Sequence, residues 1–218
     1  MSVPIALDLD AVTVSGSAIT PAFLRDGLVP VLQRMAAMPV PGAVDPVALA
    51  ALRPKPVAAA LGYSEVRQQE PVTTREGAED GGWLMQGRGG AALRLWVARR
   101  GADLDAGARR SPMRSAQRVL LVRNERAGLI TNGQTLRLLL SDASRPDSFM
   151  AFPVDRWRDP GAVPDEACVL AGLAGAQALA HLPDVLQAAA SHQAKVTAEL
   201  RRQAREAILG FVNALPTP

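Results

Sequence analysis

Residues 127–140, Ala-Gly-Leu-Ile-Thr-Asn-Gly-Gln-Thr-Leu-Arg-Leu-Leu-Leu, decide the fold class. Ala127–Thr131 reads as a strand and Thr135–Leu140 as its return. Asn132-Gly133 between them is a strong hairpin signal, because both residue types tolerate positive φ. In the return strand Leu136, Leu138 and Leu140 alternate with Thr135, Arg137 and Leu139, so one face is built for a core. Phe149–Val154 downstream reads as a third strand. Upstream, Ser111-Pro112 is a helix start: the serine hydroxyl caps, and proline at the first helical position loses no needed amide bond. That helix would turn Ala116, Val119, Leu120 and Val122 inward and line Arg110, Arg114 and Arg118 along one side. Helix, hairpin and strand in this order predict an α/β domain.

Further upstream, Trp83-Leu84-Met85 is an apolar island in the polar, glycine-rich stretch 70–92, and reads as a short strand. Gly87, Gly89 and Gly90 make a turn into a second strand, Ala92–Arg99. Leu93, Leu95 and Val97 share one face of it; Arg94, Trp96 and Ala98 share the other. The glycines do not form a phosphate-binding loop, because the strand–loop–helix order and the terminal Lys-Ser/Thr pair are absent. Nearer the N-terminus, Ile5–Val14 is weakly strand-like and Gly16-Ser17 turns it. Thr20-Pro21 caps a helix whose apolar residues run from Phe23 to Met35, with Pro30 set against a single straight rod. Asp45-Pro46 opens another helix that Pro54 and Pro56 interrupt, and Val57–Leu61 forms a short helix ending at Gly62. After Pro164 the character changes. Asp165–Ala180 reads as one Ala/Gly/Leu helix, and Leu182–Leu215 keeps apolar residues three and four apart, an amphipathic helix for core or partner contact. Three regions follow: an N-terminal helical cap (1–54), an α/β domain (55–160) and a helical extension (161–218).

Composition narrows the chemistry. The chain is 48% hydrophobic but only 4% aromatic, which leaves few rings for stacking on bases. Cys168 is the single cysteine and His181 and His192 are the two histidines, so an intrachain disulfide, a four-cysteine zinc site and an iron–sulfur centre are excluded. The first residues lack the basic and apolar segments of a signal peptide, and no uninterrupted apolar run spans a membrane, so a cytoplasmic protein is expected. Net charge is +3, but residues 88–126 carry ten basic and three acidic side chains, a net of +7. Such a concentration focuses a field on a phosphate backbone or an acidic partner.

Two strands joined by a glycine turn are a scaffold on which an Asp and a following Glu-x-Lys can hold a divalent metal that activates water against phosphate. Here the chain resembles the N-terminal, nuclease-type region of large restriction–modification enzymes, including type IIG methyltransferase–nuclease fusions and DISARM-like methyltransferases. The likeness runs in order through Leu61-Gly62-Tyr63, Leu95-Trp96-Val97-Ala98-Arg99-Arg100, Gly101-Ala102-Asp103-Leu104-Asp105, Arg110-Ser111-Pro112 with Gln117, Gly128-Leu129-Ile130-Thr131-Asn132-Gly133, Leu136-Arg137-Leu138-Leu139 and Phe152-Pro153-Val154-Asp155. It implies a degenerate restriction-endonuclease-like fold: a mixed sheet flanked by helices, with a C-terminal helical extension. The departures lie at the chemistry. Gly82 stands near the expected acid, and Val97-Ala98-Arg99 replaces Glu-Ala-Lys. Valine cannot hold a cation, and arginine stays protonated near neutrality.

The expected role is therefore a non-catalytic DNA-associated or assembly subunit of a bacterial restriction–modification or anti-phage defence system. It would act beside a larger methyltransferase or nuclease, without a cofactor. Arg99, Arg100, Arg109, Arg110, Arg114 and Arg118 are the candidate contacts to double-stranded DNA, and the terminal helix is the candidate dock. Two alternatives carry their own expectations. A Mg2+-dependent endonuclease with a rearranged site would use Asp80 and Asp103 beside Arg99, with Glu79 as a further carboxylate. A purely structural adaptor would keep a folded body after deletion of Leu182–Leu215.

Overall fold

The alternation in 127–140 builds the centre of a seven-stranded mixed sheet. In this computed structural model residues 7–107, 110–141, 147–158 and 163–214 are described; Ile5, Arg109 and Leu215, named above, lie outside them. Strands β1 (Thr13–Ser15), β2 (Glu65–Gln68), β5 (Trp83–Gln86), β6 (Ala92–Val97), β7 (Ala127–Thr131), β8 (Leu136–Leu140) and β9 (Ser148–Phe152) lie in the order β1-β9-β8-β7-β6-β5-β2. Every neighbouring pair is antiparallel except β6 and β7, which run parallel. Helix α5 (Pro112–Arg123) makes the connection between those two, as a parallel pair requires.

The two faces of the sheet bury different elements. Leu93, Leu95, Leu129, Leu136, Leu138, Leu140, Met150 and Phe152 join the main core. That core also receives α1 (Pro21–Asp26), α2 (Leu28–Arg34), α3 (Pro46–Leu49), α4 (Pro54–Ala60), α6 (Asp165–Ala174) and the first part of α7 (Leu182–Ala214). Leu136 and Leu138 are fully buried, and each contributes about 2 kcal/mol relative to exposure. On the opposite face Trp96, Ile130 and Leu139 pack with Met113, Ala116, Val119 and Leu120 of α5 and with Val72. Both alternations read from the sequence therefore hold. The main core runs continuously from Leu9 to Ala189, and β1 is an edge strand of the sheet.

Several local expectations change. The N-terminal helix is not a single rod, in keeping with Pro30: it breaks at Gly27, and Pro30 opens α2 as its third residue, without the amide that would bond the Asp26 carbonyl. Pro54 and Pro56 likewise open α4 rather than interrupt a helix. The first helical amides lack intrahelical partners, so proline there forfeits nothing. The helix from Asp165 stops at Ala174 instead of Ala180, because Gly175 turns extended and the Ala176 amide bonds the Leu61 carbonyl. The Tyr63 hydroxyl donates to the Ala174 carbonyl at 2.8 Å, so Leu61-Gly62-Tyr63 serves to cap α6. Val122 is exposed, because the buried face of α5 is Met113, Ala116, Gln117, Val119 and Leu120. Strands β2, β3 (Val72–Thr74) and β4 (Gly77–Glu79) were not read from the sequence; β3 and β4 form a separate hairpin that leans on α5. Among the described residues no single helix is long and apolar enough to cross a membrane.

Candidate functional site

The carboxyl end of β6 is where the sequence directs attention, and the Asn132-Gly133 turn positions it. Gly133 has φ +75°, whereas Asn132 does not adopt positive φ, and Thr131 pairs with Leu136, so the loop spans residues 132–135. Asn132 is occupied otherwise. Its Oδ1 accepts from the amides of Gln134 and Thr135 at 3.0 and 2.8 Å. Its Nδ2 donates to the Ala102 carbonyl at 2.7 Å, and its carbonyl accepts from the Gly101 amide at 3.0 Å. Ala98 donates to the Thr131 carbonyl at 2.8 Å. The segment 98–102, which carries Arg99 and Arg100, is thus strapped to the end of β7.

The start of α5 reaches the same edge. Ser111 Oγ accepts from the Arg114 amide at 3.2 Å, the expected N-cap. A cleft of about 340 Å3 lies here, lined by Asp80, Trp96, Ala98, Arg99, Pro112 and Ser115 among others. Arg99, Arg100 and Arg110 are exposed, and no carboxylate among the described residues pairs with them.

The other arginines are engaged. Arg114 pairs with Asp147. Arg118 holds Glu79 through Nε at 2.8 Å and through Nη2, while Ser115 Oγ donates to the other oxygen of the same carboxylate. Burial pushes the Glu79 carboxyl up, but Ser115 and Arg118 outweigh it, with Arg110 adding attraction, and the group stays below its ordinary value. This clamp ties β4 to α5. The structure thus divides the row Arg110, Arg114, Arg118: the first is exposed and only draws Glu79 from beyond ion-pair distance, with no ion pair among the described residues, and the other two are tied down.

Each of the carboxylates named for a metal has a partner of its own. Asp80 lines the cleft with Arg99, but its Oδ1 accepts from the Gly82 amide at 2.9 Å and its carbonyl accepts from Trp96 Nε1 at 2.9 Å. Asp103 Oδ1 accepts from the Asp105 amide at 2.9 Å. Asp105 binds Arg137 through two hydrogen bonds of 2.8 and 2.7 Å. Those bonds hold its carboxyl below the ordinary range against a smaller effect of burial. Val97 packs against the main core. Among the described residues no three His, Cys, Asp or Glu side chains group to hold a metal ion. Cys168 is buried in α6, and burial followed by the Asp165 charge pushes its thiol up.

Two features escaped the sequence reading. Arg94 is buried on the α5 side of β6 and binds Glu125 through Nε at 2.9 Å and Nη2 at 2.5 Å, and the Gly81 carbonyl through Nη1 at 2.5 Å. An arginine alternating with Trp96 in a strand was the available signal, but its partner lies 31 residues away. Gln117 is buried, and neither atom of its amide has a partner. What this edge offers chemically is recognition of anions by unpaired guanidiniums. Comparison with known proteins returned no matching family model, no matching curated protein and no matching solved structure.

Proposed function

We propose that the chain is a non-catalytic, DNA-associated assembly module of a restriction–modification or anti-phage defence system, working with a larger methyltransferase or nuclease. The observation that carries the reading is the edge at the end of β6. Three exposed guanidiniums, Arg99, Arg100 and Arg110, form no ion pair there with any described carboxylate, while Glu79 and Asp105 are neutralised by Arg118 and Arg137. Contacts of this kind bind phosphates, which give affinity without strong base preference. With the β3–β4 hairpin set aside as an insertion between β2 and β5, the order α4, β2, β5, β6, α5, β7 supports a restriction-endonuclease-like core: a three-stranded antiparallel set followed by a helix and a parallel fourth strand. The ordered sequence blocks from Leu61 to Asp155 support the defence context. Val97 in the place of a carboxylate ligand supports the non-catalytic part.

The test is binding of the full chain to double-stranded DNA at low salt, with and without Mg2+ or Mn2+. The proposal expects a shifted complex, its loss in Arg99→Glu/Arg100→Glu/Arg110→Glu, and intact DNA throughout. No binding refutes the DNA role. Metal-dependent cleavage that disappears in Asp80→Ala replaces the proposal with the endonuclease alternative.

A further inference from the structure

Helix α7 is anchored at its start and bare thereafter. Leu182, Val185 and Ala189 are buried in the main core, and the His192 ring meets Phe23 edge-on at 5.6 Å. From residue 194 onward every side chain described is exposed, over about 30 Å of helix. At 3.6 residues per turn Val196, Leu200, Ala204, Ala207, Ile208 and Phe211 fall on one face, continuous with the anchored face. Leu200, Ile208 and Phe211 are 60%, 63% and 69% exposed.

The charges at the two margins of that stripe decide what covers it. One margin carries Glu199 and Glu206, and both are taken by Arg202, at 3.0 and 2.6 Å. The other carries Arg201 and Arg205, which no carboxylate pairs among the described residues. A second copy fits poorly. Two antiparallel copies related by a twofold axis place like margins together, so Arg201 and Arg205 face their own counterparts. Two parallel copies match unlike margins, but each helix already seats its own body on that face up to His192, and the bodies collide.

We propose that the outer part of α7 docks an amphipathic helix of a partner protein, whose margin supplies Asp or Glu opposite Arg201 and Arg205. This deepens the assembly half of the proposed function and rests on it. Helix-against-helix recognition of this kind uses anchors three and four residues apart for affinity and margin charges for choice of partner.

The experiment uses the full chain and two synthetic helical peptides with the same leucine stripe, one margined with glutamate and one with lysine, read by fluorescence anisotropy. The Glu-margined peptide is expected to bind at least tenfold more tightly. Leu200→Glu/Phe211→Glu is expected to abolish binding of both while melting at the wild-type temperature, and Arg201→Glu/Arg205→Glu to invert the preference. Equal binding, or no binding of either peptide, overturns the proposal. So does a homodimer in sedimentation that Leu200→Glu/Phe211→Glu dissolves, or tighter binding to phosphatidylserine vesicles than to the acidic peptide. Peptide binding that persists while the wild-type chain fails to bind DNA refutes the DNA reading alone.

Discussion

Removing the Glu125 carboxylate isolates a buried charge. Arg94 has a side chain only 4% exposed, while Glu125 is 27% exposed. In Glu125→Ala the guanidinium keeps its bond to the Gly81 carbonyl but loses both carboxylate contacts. Breaking one side of a buried ion pair costs about 3–5 kcal/mol. Glu125 is partly solvated, so the lower end, about 3 kcal/mol, is expected. For a chain of this size that lowers the melting temperature by on the order of 10 °C. Arg94→Met/Glu125→Ala removes the stranded charge and is expected to recover at least half of the loss. Urea unfolding of wild type, both single variants and the double variant closes the cycle. A Glu125→Ala cost below about 1 kcal/mol, or a double variant whose cost equals the sum of the singles, refutes the assignment of Arg94 as a charge dependent on Glu125.

Three other expectations test the frame around the cleft. Glu79 has a lowered folded pKa, so its contribution to stability is present above its ordinary value of 4.5 and is lost as pH falls through the folded value. In acid unfolding Glu79→Gln therefore loses stability less steeply below pH 4.5 than wild type, and an unchanged slope counts against the clamp. Asn132→Ala removes three hydrogen bonds from a residue 7% exposed, with an expected cost of about 2–3 kcal/mol in urea unfolding and weaker DNA binding as the Arg99–Arg100 segment loosens. Truncation after Gln193 leaves the wild-type circular dichroism melt, whereas truncation before Leu182 uncovers the main core and destabilises the fold; equal melts would contradict the division of α7 into anchored and bare parts.

What was legible in the sequence is what local physics controls. The leucine alternation in β8, the faces of β6 and the caps at Thr20, Asp45 and Ser111 depend on near neighbours, and each appears as read. Strands β2, β3 and β4 are short and largely exposed, so no hydrophobic period marks them. The stop at Gly175 depends on Leu61, whose carbonyl takes the next amide, and no helical pattern announces that. The candidate site was half legible for the same reason. Arg110, Arg114 and Arg118 form one row along the helix, but Asp147 and Glu79, which tie down the last two, lie 33 and 39 residues away. The turn at Asn132-Gly133 was plain, but the negative φ of Asn132, the four-residue loop and its part in strapping down the arginine segment required the fold.

The central claim, that the unpaired arginines at the end of β6 meet phosphates, is tested most directly by the salt dependence of DNA binding. Three phosphate contacts predict that log K against log salt falls with a slope of about −2.7 for the wild-type chain. Replacing Arg99, Arg100 and Arg110 by glutamine is predicted to bring that slope close to zero, while Arg114→Gln and Arg118→Gln leave it unchanged. A wild-type slope near zero, or a slope that answers to Arg114 and Arg118 instead, would contradict the account.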